Sequence, residues 1–149
     1  MSLQSCDWCY NSPFLREAYD GFVDNFNFYL GDPEDFPKLK DPTKFVGGML
    51  NPRSKEISLR RDLQGKYRYI PVSGTWKINN RKIKFVGNVP VPMDEFTVAH
   101  ELEHGLDLGE ISESKISRRA LEKYVDFYVR RELETYLKNS EIKTRQYIV

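Results

Sequence analysis

Both histidines of this 149-residue chain fall within TVAHELEHGLD, residues 97–107, four positions apart, and a glutamate follows the first. On an α-helix, positions i and i+4 lie one turn apart on one face. His100 and His104 can therefore each aim a ring nitrogen at a single metal ion. Glu101 is rotated by about 100° from His100. It can flank the metal without ligating it and take a proton from a water that zinc has acidified to a pKa of about 7. HExxH is the spacing that metal-assisted hydrolysis requires. Three fixed positions in five arise by chance in roughly one chain in a few hundred of this size. The competing reading is a solvated helix face carrying two unrelated histidines. Against it, Phe96, Ala99, Leu102 and Leu106 form an apolar stripe expected to bury the other side of the helix.

The elements that must position this helix are legible in outline. Ser12-Pro13 reads as an N-cap and first helical residue. Leu15, Ala18, Tyr19, Phe22, Phe26 and Leu30 follow at three- and four-residue spacing, predicting an amphipathic helix of roughly four to five turns. GDPEDFPKLKDPTK is an acidic, proline-punctuated loop. A hairpin is expected with one strand near 45–50, a turn at Asn51–Ser54 and a return over Glu56–Arg60. Further short strands follow, with a tight turn at Asn79-Asn80, because asparagine tolerates positive φ. Asp94 can cap the HELEH helix, which is expected to end near Leu108-Gly109. A last long helix is predicted from about Glu113 to Asn139. The order is helix, small β-meander, helix, helix: an α+β domain, with residues 1–11 as an N-terminal tail and 12–149 as a single domain.

Composition sets the bounds. The charged fraction of 30% and apolar fraction of 40% suit a packed globule. Residues 1–45 hold four basic against eight acidic residues, and the rest hold 19 against 14. This modest dipole does not make the concentrated basic face that nucleic acid needs. No apolar run is long enough to span a membrane, and no secretory signal is visible at the N-terminus. A cytoplasmic location, or delivery by a specialised secretion route, is expected.

TVAHELEHGLD resembles the active helix of the zincin metallopeptidases. The upstream strand pair GGMLNPRSKEISL is similar to the arrangement in compact glutamate-zincins, such as the ImmA/IrrE-like proteins and minimal HExxHxxD enzymes. The resemblance is sharp over the HExxH segment and loose over residues 45–138. It implies a zincin-like α+β fold, with a small, mostly antiparallel twisted sheet, an N-terminal helix, the HExxH helix and a long C-terminal helix that carries the third ligand. It also implies a Zn2+ cofactor and a protein or peptide substrate.

A catalytic zinc usually has three protein ligands and one open position. No third histidine exists, so a carboxylate is expected. The final helix offers Glu122, Asp126, Glu132 and Glu134. Glu132 shares a stripe with Leu121, Val125, Tyr128, Thr135 and Tyr136 and is the expected ligand. Glu134 lies about 200° around the helix, on a charged face. The glutamate-zincin pattern Glu-x-x-x-Asp is matched at Glu132 and departs at Tyr136. Asp107 is a candidate to support the first histidine instead.

The tetrahedral oxyanion of peptide hydrolysis needs a donor. Tyr128 is the first choice, with Tyr124 and Tyr136 behind it. The competing reading is that these tyrosines are core aromatics with wet hydroxyls. A substrate strand is expected along the sheet edge near Trp76–Val86, although lysines there also serve as ordinary edge protection. Cys6 and Cys9 are expected to be reduced in a loosely ordered tail. A speculative alternative has one thiolate folding onto the zinc and silencing it. The expected function is a zinc metallopeptidase with His100, His104 and Glu132 on the metal and Glu101 as base. The alternative is a non-enzymatic zincin-like interaction or regulatory domain, such as a phage accessory or an effector.

Overall fold

The computed structural model describes residues 4–41, 44, 46–107 and 112–146, with side chains described as far as residue 140. The chain is α+β. Strands β1 (Gln4–Ser5), β2 (Asn27–Gly31), β3 (Gly48–Asn51) and β4 (Glu56–Arg60) form one sheet, in the order β1-β2-β4-β3. β2 and β4 run parallel, and the other two pairs are antiparallel. A separate long hairpin joins β5 (Tyr67–Ile78) to β6 (Arg81–Pro92). Helices α1 (Asp7–Asn11), α2 (Pro13–Ala18), α3 (Met93–Leu106) and α4 (Glu113–Gln146) pack around them. The strand pairing is mostly antiparallel, as expected, but the strands form a four-stranded sheet with one parallel pair and a separate two-stranded ribbon rather than one sheet. None of the described helices is long and apolar enough to cross a membrane.

The N-terminal helix begins as its sequence requires. Ser12 Oγ accepts a hydrogen bond from the Leu15 amide at 3.2 Å, with Pro13 in the first turn. It ends at Ala18 rather than continuing to Leu30. Gly21, at φ +75°, turns the chain out of the helix. Phe26, Phe28 and Leu30 then alternate as buried residues leading into and along β2. The cause of the over-extension is arithmetic: residues 22, 26 and 30 share a face in a helix and in a strand alike.

Residues 4–11 are not a tail. β1 pairs with β2, and the Cys6 amide donates to the Phe28 carbonyl at 2.8 Å. Cys6 and Cys9 are joined in a disulfide, and both are fully buried in the main core. This corrects the expectation of reduced, loosely held thiols. It also leaves no thiolate to fold onto a metal.

The turns follow their chemistry. Asn51 Oδ1 accepts from the Arg53 and Ser54 amides, closing the β3–β4 turn. Asn79 and Asn80, at φ 49° and 65°, form the two-residue turn of the β5–β6 hairpin, as their side chains permit. One hairpin face carries Ile70, Val72 and Trp76 with Ile83, Phe85 and Val89 against the core, while Tyr67, Tyr69 and Val86 face outward. α3 buries Val98, Ala99 and Leu102, but Leu106 is exposed and does not extend the stripe. Asp94 is not the cap of α3: it lies inside the first turn, and Pro92 precedes the helix. The helix end expected at Leu108-Gly109, and Phe45 of the first hairpin strand, lie outside the described residues.

Three elements meet at Glu103, which is almost fully buried on α3. Tyr19 Oη donates to Glu103 Oε1 at 2.9 Å, and Lys123 of α4 pairs with the same oxygen. The carboxylate raises the Tyr19 hydroxyl pKa, although burial of the ring is the larger cause. The network fixes α3 between the N-terminal segment and α4.

β3 lies against α3 at very close range. A Cβ on Gly48 would stand 2.8 Å from Thr97 Cγ2 and 3.1 Å from the Ser58 carbonyl oxygen. Gly48→Ala is therefore expected to lower stability by about 1–3 kcal/mol through overpacking. Thr97→Ser, which removes the obstructing methyl, is expected to recover much of that loss in the double variant. Chemical denaturation of the four proteins measures this. A double variant no more stable than Gly48→Ala would show that the methyl contact is not the cause.

Candidate metal centre

α3 presents His100 and His104 on the face opposite its buried stripe, toward a cleft of about 1010 Å³. The two rings are 4.8 Å apart at their centroids, and their Nε2 atoms are 3.2 Å apart. Both nitrogens therefore aim at one point. The first turn of α4 supplies a carboxylate at that point. Glu113 Oε2 lies 2.8 Å from His100 Nε2, and Oε1 lies 2.9 Å from His104 Nε2. These three residues are the group of metal-ligating side chains that converge among the described residues.

The donor set fits a small tetrahedral cation. Zinc bonds of about 2.0–2.1 Å at tetrahedral angles set neighbouring donors about 3.4 Å apart. The observed separations of 2.8, 2.9 and 3.2 Å need only a slight spread to admit it. Two imidazoles and one carboxylate leave a fourth position open, as catalytic sites do. Ser117, one turn further along α4, puts Oγ 3.0 Å from His100 Nδ1. With Nε2 reserved for a metal, the neutral ring carries its proton on Nδ1 and donates it to Ser117. That bond fixes both tautomer and ring orientation.

Glu101 also lines the cleft. It is buried, and burial pushes its carboxyl pKa up to about 7, with His104 opposing the rise and Glu113 adding to it. His100 is shifted down, chiefly by burial, against the pull of Glu113. No hydrogen bond to the Glu101 carboxylate exists among the described residues, and its Cγ lies beside the Gly48 position of β3.

Glu132 is not brought to the histidines, which corrects the expected ligand set. It lies 19 residues beyond Glu113 on the same continuous helix. That separation amounts to about 28 Å along the axis. Its side chain is exposed and accepts a hydrogen bond from Tyr128 Oη at 2.8 Å. The stripe used to choose it is rotated from the true one, because the buried face of α4 runs through Ile116, Ala120, Tyr124, Leu133 and Leu137. Glu134 is exposed on the same distal part of the helix. Asp126 is taken by Trp76 Nε1 and Arg130.

The tyrosines fare likewise. Tyr128, bonded to Glu132, does not line the cleft, so the expected oxyanion donor is not at the site. Tyr124 is a core aromatic stacked edge-on against Phe14, and Tyr136 is exposed. Trp76 packs beside Asp126 near the far end of the ribbon, so that edge does not border the cleft. The sheet edge that borders it is β3, through Gly48 and Leu50. Asp107 also lines the cleft, beyond His104.

Glu113 was recognisable in the sequence only as the start of a helix. The signal for it was a carboxylate in the first turn of the next helix after HELEH, where the helix dipole favours negative charge.

Glu113→Ala is expected to abolish tight zinc binding, while Glu132→Ala leaves it unchanged. Ser117→Ala is expected to weaken zinc affinity by roughly tenfold by freeing the His100 ring. Competition titration against a chromophoric chelator measures all three. Loss of binding in Glu132→Ala with retention in Glu113→Ala would reverse the assignment.

No family model, curated protein or solved structure matches the chain, so its likeness to zincins rests on the residues themselves.

Proposed function

We propose that this chain is a zinc-dependent peptidase of the glutamate-zincin kind, with His100, His104 and Glu113 as the metal ligands and Glu101 as the general base. The observation that carries the reading is the convergence of three donors beside a buried carboxylate without a hydrogen-bond partner among the described residues. A purely structural metal site has closed coordination and no use for such a carboxylate. When bound, zinc would polarise the substrate carbonyl and acidify the attacking water.

The chain's own residues divide the remaining work. Glu101 takes the proton from the attacking water and returns it to the departing amine nitrogen, as a single carboxylate can in both directions. Ser117 holds His100 in the required tautomer. The β3 edge, with Gly48 at the cleft, offers backbone groups for an extended peptide. Leu50, Leu63, Phe96 and Leu121 line the cleft with apolar surface, which limits water around the reacting bond.

Glu101→Gln is expected to keep full zinc occupancy and lose peptide hydrolysis by about 10²–10⁴-fold. Zinc analysis by plasma mass spectrometry, alongside cleavage of a quenched fluorescent peptide library, tests both halves. A zinc-loaded Glu101→Gln variant with wild-type cleavage would remove Glu101 from the mechanism.

A further inference from the structure

The inner face of the β5–β6 ribbon is apolar between Arg68 at its base and Arg81 beside the turn. Along β5 the inward positions read Arg68, Ile70, Val72, Gly74 and Trp76. Arg68 is therefore the exposed, cationic end of a row whose later members pack toward the core. Its cross-strand partner is Val91, which is buried, and both residues line the cleft. Cross-strand partners project to the same face, so the guanidinium stem leaves the sheet on the cleft side.

Arg68 differs in sign from the other charged side chains of the cleft. It is the sole lysine or arginine among the described lining residues, whereas Glu101, Asp107 and Glu113 are acids. Among the described residues it also has no salt bridge and no side-chain hydrogen bond. An exposed arginine without a partner among the described residues, at the rim of a mostly apolar cleft, leaves its guanidinium available to a ligand. A guanidinium in that setting binds a carboxylate through two parallel N–H donors.

We infer that Arg68 is a specificity residue that anchors a substrate carboxylate, either an aspartate or glutamate side chain or the free C-terminus of the peptide. The inference rests on the peptidase reading of the metal centre. The geometry also sets a spacing. α3 starts at Met93, two residues beyond Val91, and reaches His100 after seven residues. That is about 10 Å of helix. An extended peptide covers the same span with about three residues. The arginine side chain shortens the gap, so the anchored carboxylate belongs about two or three residues from the bond that is cut.

The test is cleavage profiling by mass spectrometry, using zinc-loaded wild type and Arg68→Glu on two peptide libraries, one with free and one with amidated C-termini. Zinc content and the melting midpoint are measured for both proteins. Wild type is expected to favour peptides with a carboxylate at the stated spacing. Arg68→Glu is expected to hold zinc normally, to lose about ten- to a hundredfold in kcat/KM on those peptides, and to favour lysine or arginine at the same position. If amidation abolishes the preference, the anchored group is the chain terminus. If the preference survives amidation, it is an acidic side chain. Cleavage by both proteins with the same profile would overturn the role of Arg68 and leave the peptidase reading standing. No cleavage by zinc-loaded wild type in either library would overturn the peptidase reading, and this inference with it.

Discussion

Two imidazole nitrogens face each other 3.2 Å apart, with a carboxylate closing on both. A lone pair on each nitrogen would repel the other, and a proton on each would clash. One shared positive charge resolves the conflict, and a divalent cation resolves it for all three groups at once. Everything else around the site follows from keeping these groups together. α3 must present one face to the cleft, so its opposite face is committed to the core through Val98, Ala99 and Leu102. α4 must begin where α3's histidines point, so the two helices are tied by the Glu103–Lys123 pair, with Tyr19 bonded to the same carboxylate. The buried charge at Glu103 is tolerable only because both partners meet it.

The cleft is assembled from the parts of the fold that approach α3 most closely. β3 comes near enough that only glycine fits at position 48, which brings a sheet edge alongside Glu101. The base of the ribbon feeds directly into α3: the Met93 amide donates to the Lys66 carbonyl at 2.9 Å. That junction carries Arg68 and Val91 to the rim. The far end of the ribbon and the distal part of α4 brace one another through Trp76, Asp126 and Arg130 and contribute nothing to the cleft.

Features with a short-range physical cause were legible in the sequence. The i, i+4 histidines, the Ser12-Pro13 helix start and the Asn79-Asn80 turn each depend on a few adjacent residues, and each was readable from them. What failed depended on partners distant in the chain. Residues 22, 26 and 30 share a face in helix and strand alike, and only pairing with its neighbours decides for the strand at the end of that run. The cysteine pair looked peripheral because nothing local reveals that β1 joins the sheet. Glu132 was chosen from a stripe of large apolar residues. The true inner face of α4 includes the small Ala120, which such a stripe undervalues, and the ligand-bearing turn is the first one. Arg68 was invisible as a site residue until the ribbon's inner face was known.

The most direct test is a crystal structure of the zinc-loaded protein, with anomalous diffraction recorded on both sides of the zinc absorption edge. The account predicts a single strong peak bonded to His100 Nε2, His104 Nε2 and the Glu113 carboxylate, with Glu101 beside it and unbonded to the metal. A peak held by other residues, or an empty centre at saturating zinc, would contradict it.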